Sequence, residues 1–170
     1  MRRSQEGAFR EFAQARTGHL FRSACLLASG DTHLAEDLVQ ETLGRMYMVW
    51  GRSATLGNPA AYAQTVLVRV FLAHRRRRSA GERPSDAIPE TAGTTASADT
   101  SLRITLLDAL RQLPPKDRAV VVLRYWEDRS VAETADALSV SSAAVRTRST
   151  RALARLRTLL GGSLAEYADR

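Results

Sequence analysis

Cysteine, lysine and aromatic residues are scarce in this 170-residue sequence, and no long apolar run occurs. The single cysteine, Cys25, excludes an internal disulfide framework and a zinc site built from several cysteines. Aromatic residues make up 6% of the chain, so its cores must be built mainly from Leu, Val and Ala. Because no apolar stretch approaches the roughly 18 residues of a membrane span, and the first residues do not resemble a signal peptide, we expect a cytoplasmic protein without a membrane partner.

Basic residues exceed acidic ones by seven, and the excess is unevenly distributed. Residues 1–78 contain 12 basic and 6 acidic side chains, and residues 101–170 contain 12 and 8. Between them, residues 79–100 contain one basic and four acidic side chains. Two basic blocks separated by an acidic stretch favour binding to nucleic acid, although a modest excess also occurs on ordinary solvated surfaces.

The central segment, residues 79–100, is rich in Ala, Thr, Ser, Gly and Pro and has one large apolar residue, Ile88. Such a segment buries too little surface to offset its ordering entropy, which predicts a flexible linker. On both sides of it, apolar residues recur at steps of three and four, the period of an α-helix. The sequence therefore predicts an all-α protein of two small helical domains, residues 1–78 and 101–160, with a frayed tail at 161–170.

A helix-turn-helix is indicated in the second domain. Ser130 and Glu133 form a capping-box pattern that opens a short helix. The segment 139–141 interrupts this helix, and a second helix is expected from about Ser142 past Arg157. A short helix, a tight turn and a longer basic helix are the plan of DNA-binding helix-turn-helix domains.

The second helix of this motif has two faces when its residues are placed at intervals of about 100°. One sector is predicted to face the core and contains Val145, Ser149, Ala152, Leu153, Leu156 and Leu160. Opposite it lie Thr147 and Arg151, with Arg146, Arg148 and Thr150 at the flanks. Hydroxyls and arginines on one face suit the major groove, because Arg can donate two hydrogen bonds to guanine. The alternative is that these arginines are ordinary solvated side chains on a surface helix.

The first domain has an acidic helix face and a run of arginines. Asp37, Gln40 and Glu41 lie on neighbouring helical steps. Acidic groups in a basic domain are poor DNA contacts and plausible docking points for a basic protein, although an ordinary solvated helix has the same appearance. Arg75 to Arg78 end a helix that begins apolar. Four consecutive arginines repel one another unless an anion is present, which favours phosphate binding, although part of their role can be to stabilise the helix C-terminus.

Four segments occur in order along the chain, two on each side of the central linker: DLVQETL, VLVRVFLAHRRRR, ALRQLPPKDRAVVVLRYWEDRSVAETADAL and SSAAVRTRSTRALARLR. Together they resemble the extracytoplasmic-function type of bacterial sigma factor, and the resemblance runs from about Phe9 to Leu160. It implies a promoter-specificity subunit that works only with core RNA polymerase.

The resemblance implies separate contacts for the two domains. The N-terminal domain would bind the clamp helices of the polymerase, read the −10 promoter element as a single strand and capture an unpaired base. The C-terminal domain would bind the polymerase flap and read the −35 element as duplex. The positions implied for polymerase binding are Asp37, Leu38, Gln40 and Glu41; for the −10 element Arg69, Ala73, His74, Arg75, Arg76, Arg77 and Arg78; and for the −35 element Ser142, Arg146, Thr147, Arg148, Thr150 and Arg151.

Two positions of the base-capturing segment differ from the common pattern of that family. Arg69 stands where the family usually has Asn, and Ala73 stands where it often has Asp. An Asn amide both donates and accepts hydrogen bonds, whereas Arg only donates, so the resemblance does not specify the captured base. Tyr62 is a further candidate for the −10 site, as a stacking surface for an unpaired base, while its place on an apolar stripe favours packing in the core.

Two other function classes compete with a sigma factor. The alternative is a free-standing helix-turn-helix regulator with an N-terminal domain for dimerisation or ligand sensing; the acidic face combined with the arginine run favours the sigma factor. A nucleic-acid-modifying enzyme lacks candidate residues, because His19, His33 and His74 are scattered and no cysteine or carboxylate cluster accompanies them. We therefore expect no catalytic residue, metal or cofactor. The expected partners are core RNA polymerase and promoter DNA, and the resemblance also allows an anti-sigma protein.

Overall fold

The computed structural model describes residues 2–53, 57–81 and 98–168, and these residues form α-helices and one π-helical turn without any strand. Most of the predicted linker, residues 82–97, lies outside these ranges. None of the described helices combines the length and the apolar composition needed to cross a membrane. The helices are α1 (Arg2–Leu27), α2 (Thr32–Ser53), α3 (Pro59–Gly81), α4 (Ala98–Arg111), α5 (Pro115–Val121), α6 (Val131–Leu138) and α7 (Ser142–Ala168), and the π-helical turn is Val122–Trp126.

Side-chain caps set the starts of α2 and α3. Asp31 Oδ1 accepts a hydrogen bond from the backbone N–H of Leu34 at 3.0 Å, so Asp31 is the cap of α2. Asn58 Oδ1 accepts from the N–H of Ala61 at 3.0 Å. Pro59 follows this cap, where its fixed φ suits the first turn of a helix. Short local signals in the sequence thus separate the first three helices.

Helices α1, α2 and α3 form a first unit around a core of aliphatic side chains and Phe71. Phe71 of α3, Met46 of α2 and Leu20 of α1 are fully buried. Trp50 packs edge-on against Phe9, with ring centroids 5.2 Å apart. Burial of each large apolar side chain stabilises the fold by roughly 1.5–3 kcal/mol. Each helix therefore turns its apolar face inwards and leaves its polar face outside.

Helices α4 to α7 form a second unit with two small cores, both centred on α7. One core joins α4 to α7, and the other holds α5 and α6 against α7. The buried residues of the first are Ala109, Leu110, Leu113, Ala152 and Leu156, and those of the second are Val120, Ala135 and Val145.

The predicted helix-turn-helix consists of α6, a turn and α7. Ser130 Oγ accepts from the N–H of Glu133 at 3.0 Å, and Glu133 Oε2 accepts from the N–H of Ser130 at 2.9 Å, which confirms the capping box. The turn places Ser139 at φ 54° and ψ 46°, a left-handed conformation that glycine adopts more readily than serine. The turn still closes, because the N–H of Val140 donates to the carbonyl oxygen of Ala135 at 3.1 Å.

Helix α7 is longer than the sequence predicted. It continues to Ala168, so the segment expected to fray is helical through that residue. Leu159 and Leu160 still pack against the core of the second unit, which holds the helix up to the start of this segment. Four of the eight residues that follow are good helix formers, namely Leu164, Ala165, Glu166 and Ala168, and the helix continues in spite of its two glycines.

The two units pack against each other, which the sequence did not predict. Ala119, Val122, Leu123 and Ala137 of the second unit belong to the same buried cluster as the core of the first unit. The opposing surfaces of the first unit belong to α1 and α3. The described residues therefore form one compact arrangement in which α3 lies beneath the helix-turn-helix.

Candidate polymerase and nucleic-acid interfaces

Of the four positions in α2 that the resemblance implies for polymerase binding, one is buried. Asp37 and Gln40 are exposed, whereas Leu38 is 2% exposed and packs in the core of the first unit. Glu41 is half-buried, and its Oε1 lies 2.6 Å from Nη2 of Arg45. Leu38 thus positions the helix from within, and the polar side chains are the part available to a partner.

The arginine run occupies the last turns of α3. Its two central residues, Arg76 and Arg77, are exposed, and the outer two are half-buried. Arg77 Nη2 lies 3.9 Å from Glu41 Oε2, so the run approaches the acidic face of α2. The positive charge is concentrated at a helix C-terminus on the surface, where phosphate groups can reach it.

His74, directly before this run, is shielded from solvent. Its Nε2 is buried and has no hydrogen-bond partner among the described residues. Burial lowers the pKa of His74 below 6.5, and the charges of Arg78, Arg77 and Arg75 lower it further. His74 is therefore neutral at pH 7 and adds no positive charge to the surface.

Arg69, the candidate for base capture, contacts the helix-turn-helix. Its Nε donates to the carbonyl oxygen of Ala137 at 2.8 Å, and its Nη2 donates to that of Asp136 at 3.3 Å. These carbonyls lie at the C-terminal end of α6, where the helix dipole attracts a cation. Ala73 is half-buried one turn further along α3. Tyr62 is half-buried against the core of the first unit, as in the packing alternative.

A cleft of about 960 Å³ lies between the end of α3 and the second unit. Apolar side chains, including Leu72 and Val140, form part of its lining. The described residues that line it include no acidic side chain and six basic ones: Arg45, Arg69, Arg75, Arg76, Lys116 and Arg148. Both units thus contribute to one positively charged surface.

The burial of α7 confirms the two faces predicted from its sequence. On the polar face, Arg146, Thr147, Thr150 and Arg151 are exposed, and Ser142 and Arg148 are half-buried. On the opposite face, Val145, Ser149, Ala152 and Leu156 are buried. The polar face is therefore the one that α7 presents to solvent.

A buried carboxylate, which sequence reasoning missed, lies beneath this polar face. Asp117 of α5 is 1% exposed. Its Oδ1 accepts from Arg151 Nη2 at 2.7 Å and from Arg148 Nη1 at 3.0 Å, and its Oδ2 accepts from Arg151 Nε at 2.9 Å. Burial raises the pKa of Asp117, but the hydrogen bonds and charges of the two arginines outweigh it, so the pKa lies below 3.8. Arg151 uses Nε and one hydrogen of Nη2 here, so the hydrogens of Nη1 and the second hydrogen of Nη2 are not used by Asp117.

Arg118, also missed from the sequence, is 3% exposed between the two units. Its Nε donates to the carbonyl oxygen of Leu110 at 2.8 Å, and its Nη1 donates to that of Leu27 at 2.7 Å. Its Nη2 donates to the carbonyl oxygens of Arg111 and Leu113, at 3.1 Å each. Burial lowers the pKa of Arg118 to about 10, so the side chain stays protonated at pH 7.

The described residues contain no group of three His, Cys, Asp or Glu side chains that could hold a metal ion. Cys25 is buried, and burial raises the pKa of its thiol. The surfaces identified above are charged and rich in hydrogen-bond donors, and such surfaces are suited to binding polyanions and charged proteins.

Two family models match the chain, one in each unit. Sigma-70 region 2 matches residues 9–81, and Sigma-70, region 4 matches residues 103–156. The first match contains α2 and α3, and the second contains the helix-turn-helix through the first half of α7.

Individual proteins are similar over most of the chain. The chain is 38% identical over 149 residues to the RNA polymerase sigma-E factor of Streptomyces coelicolor, and this match covers 88% of this chain and 84% of that relative. It is 33% identical over 150 residues to the ECF RNA polymerase sigma factor SigL of Mycobacterium tuberculosis, and the match covers 83% of this chain and 82% of that relative. Among solved structures, the sigma factor RpoE in complex with the anti-sigma factor NepR from Bartonella quintana is similar, with a TM-score of 0.70 and 25% identity, covering 91% of this chain and 97% of that one.

Proposed function

The chain belongs to the sigma-70 family of RNA polymerase sigma factors, and from this premise we propose that three of its helices divide the work of directing core RNA polymerase to promoters. The acidic face of α2 binds the polymerase clamp, the arginine-rich end of α3 binds the opened −10 element, and the polar face of α7 reads the −35 element as duplex. The observation that supports this division most strongly is the ordered match of two sigma-70 regions, each containing the helices assigned here.

In this proposal the protein acts by binding alone, without a catalytic step, and it works in the cytoplasm with the polymerase. The second unit also contacts the polymerase flap. An anti-sigma protein is a further proposed partner, because the similar RpoE structure contains one.

Initiation in vitro tests the proposal. The full chain is mixed with core RNA polymerase and a library of promoter fragments, and transcripts from a defined subset of fragments are expected. A chain that binds a palindromic duplex without polymerase, and initiates nothing with it, would be a free-standing regulator instead.

The polymerase contact proposed for α2 is electrostatic. Replacing Asp37 and Glu41 by arginine should weaken binding of the full chain to core RNA polymerase by about tenfold or more, because two attractions to a basic surface become repulsions. The matched control is Glu6→Arg with Glu11→Arg, which makes the same charge change at exposed positions of α1. Fluorescence anisotropy with labelled chain measures both affinities. Wild-type affinity of the α2 variant, or an equal loss in the control, would contradict the assignment.

The −10 contact proposed for α3 rests on the charge at the end of that helix. Proteins that bind single-stranded DNA combine a basic groove with surfaces that receive unstacked bases. Arg76 lines the basic cleft, and both Arg76 and Arg77 are exposed. His74 is neutral, so the positive charge here comes from the arginines. Arg69 must leave the carbonyl groups of α6 before its guanidinium can reach a base.

The −35 contact proposed for α7 predicts unequal roles for two arginines. Arg151→Ala should cost about 1–3 kcal/mol on the preferred sequence and relax the preference at one base pair. Asp117 holds the guanidinium of Arg151 so that its other edge can donate to O6 and N7 of a guanine. Arg155→Ala is the matched control, because Arg155 is exposed one turn further along α7. This substitution should weaken binding to all −35 sequences equally, and by less than Arg151→Ala does.

Binding of both variants to a library of −35 duplexes measures this difference. If Arg151→Ala kept the wild-type preference at every position, the proposed register of α7 in the groove would be wrong.

A further inference from the structure

The basic cleft between the end of α3 and the second unit has the size of a small-molecule site. Its volume of about 960 Å³ lies within the range of roughly 300–1,000 Å³ that is usual for ligand pockets. Arg75 and Arg76 of α3 line one side, and Lys116 of α5 and Arg148 of α7 line the other. Cations from both units therefore border one shared volume.

Three of these cations have no partner to offset their charge. Arg75, Arg76 and Lys116 make no hydrogen bond or ion pair with any described residue. Burial lowers the pKa of the neighbouring Arg118 to about 10, and the charge of Arg75 is the next largest cause. An anion in the cleft would relieve this repulsion, and hydrogen bonds between charged groups are among the strongest in proteins. The cleft is therefore suited to a ligand that carries several negative charges close together.

The rest of the lining includes apolar side chains from both units. Leu72 and Ala73 of α3 lie on one side, and Leu138 and Val140 of the second unit lie on the other. All four are half-buried, so part of their surface remains in contact with water. A flat apolar group placed against them would remove this surface from water, which favours binding.

The described lining contains no carboxylate, so nothing in it repels an anion or competes for the arginines. It also offers no acidic ligand for a divalent cation, so the charge of a bound phosphate chain is offset by arginine and lysine. Arginine can donate two parallel hydrogen bonds to one phosphate, and lysine adds a compact charge.

We propose that this cleft binds a nucleoside polyphosphate, with the phosphate chain held by Arg75, Arg76 and Lys116 and the base placed against the apolar side chains. This ligand class combines the two chemistries of the lining, because its phosphates concentrate negative charge and its base has flat apolar faces. The inference goes beyond the proposed function, since it assigns a small molecule to the cleft rather than promoter DNA, and it uses Lys116, which none of the proposed DNA contacts includes.

Calorimetric titration of the full chain with ATP tests the proposal, with EDTA present so that no divalent cation takes part. We expect saturable binding with a dissociation constant below about 1 mM. The variant Arg76→Gln with Lys116→Gln should bind ATP at least about tenfold more weakly, because it loses two charged donors to phosphate. The matched control, Arg22→Gln with Arg157→Gln, also removes one exposed cation from each unit, but outside the cleft, and should bind ATP like wild type.

Three further ligands identify what the cleft recognises. Adenosine should not bind measurably, and inorganic tripolyphosphate should bind more weakly than ATP, because each lacks one of the two parts of the ligand. Equal affinity for tripolyphosphate and ATP would overturn the assignment of the base. Tighter binding of a short oligo(dT) than of ATP would overturn the proposal as a whole, because the cleft would then be part of the surface for single-stranded DNA.

Thermal unfolding provides a second measurement, since a ligand that binds only the folded chain stabilises it. Saturating ATP should raise the unfolding midpoint of wild type and of the control, but not that of the cleft variant. Unchanged midpoints for all three chains, together with no saturable heat of binding, would refute the proposal. Neither measurement involves polymerase, so absent ATP binding with normal initiation refutes this inference alone, whereas absent initiation refutes the proposed function.

Discussion

Arg118→Met should lower the free energy of unfolding by about 3–5 kcal/mol, because several carbonyl groups each lose a hydrogen bond to a charged donor. Methionine is apolar and similar in length, but it donates no hydrogen bond, so four carbonyl oxygens lose their donor. The matched control is Arg111→Met, at an exposed position of α4, with an expected loss below about 0.5 kcal/mol. Denaturant-induced unfolding at pH 7 measures both. A loss of less than about 1 kcal/mol for Arg118→Met would show that water can replace the guanidinium.

The expected effect is large because Arg118 lies where two helices end. Leu27 is the last residue of α1 and Arg111 is the last residue of α4, and carbonyl groups at such ends have no partner within the helix. A cation at this place also interacts favourably with both helix dipoles. Its guanidinium carbon lies 5.7 Å from the ring centroid of Phe71, which adds a cation–π contact. These interactions offset the cost of burial, which is visible in the pKa of about 10.

Asp117→Asn should lower the free energy of unfolding at pH 7 by about 2–3 kcal/mol. The amide keeps the shape of the carboxylate but leaves Arg148 and Arg151 without their counter-charge. The expected loss is below the range of about 3–5 kcal/mol for fully buried ion pairs because the side chain of Arg151 is 58% exposed. The matched control is Asp108→Asn, which neutralises an exposed carboxylate on α4 and should cost less than about 0.5 kcal/mol.

The same ion pairs predict a dependence on pH. The pKa of Asp117 is lower in the folded chain than its ordinary 3.8, so its stabilising effect is complete above that value and is lost as the pH falls through the folded pKa. The difference in unfolding free energy between wild type and Asp117→Asn should stay constant from about pH 7 to about pH 5 and shrink below about pH 4. Urea unfolding at successive pH values measures it. A difference that persists unchanged in acid would show that the carboxylate charge is not its source.

Features that depend on neighbouring residues could be predicted from the sequence. The capping box needs only Ser130 and Glu133, three positions apart, and the structure contains both of its hydrogen bonds. The two faces of α7 follow from the helical period, and the burial of Val145 and Ala152 agrees with them. The family resemblance supplied positions within these elements, but not the exposure of each side chain: Leu38 is buried, and His74 Nε2 is shielded.

Features that depend on distant residues could not be predicted in the same way. Arg118 bonds a carbonyl group 91 positions away, and Asp117 bonds an arginine 34 positions away. One signal was present: Arg118 precedes the buried Val122 by four positions, so it lies on the apolar stripe of its helix. A charge on such a stripe must find hydrogen-bond partners when it is buried, but the sequence does not say where they are.

The π-helical turn Val122–Trp126 makes the position of the residues after it depend on how many residues the turn contains, more than on which residues they are. The N–H of Glu127 bonds the carbonyl oxygen of Val122, five positions back, so this turn holds one residue more than an α-helical turn. One additional residue rotates everything after it by about 100° about the helix axis. Removing a single residue here would leave the hydropathy profile almost unchanged, yet it would turn Trp126 and Glu127 away from their hydrogen-bond partner Ser23. An insertion or deletion in this turn would thus alter how the two units of this protein meet.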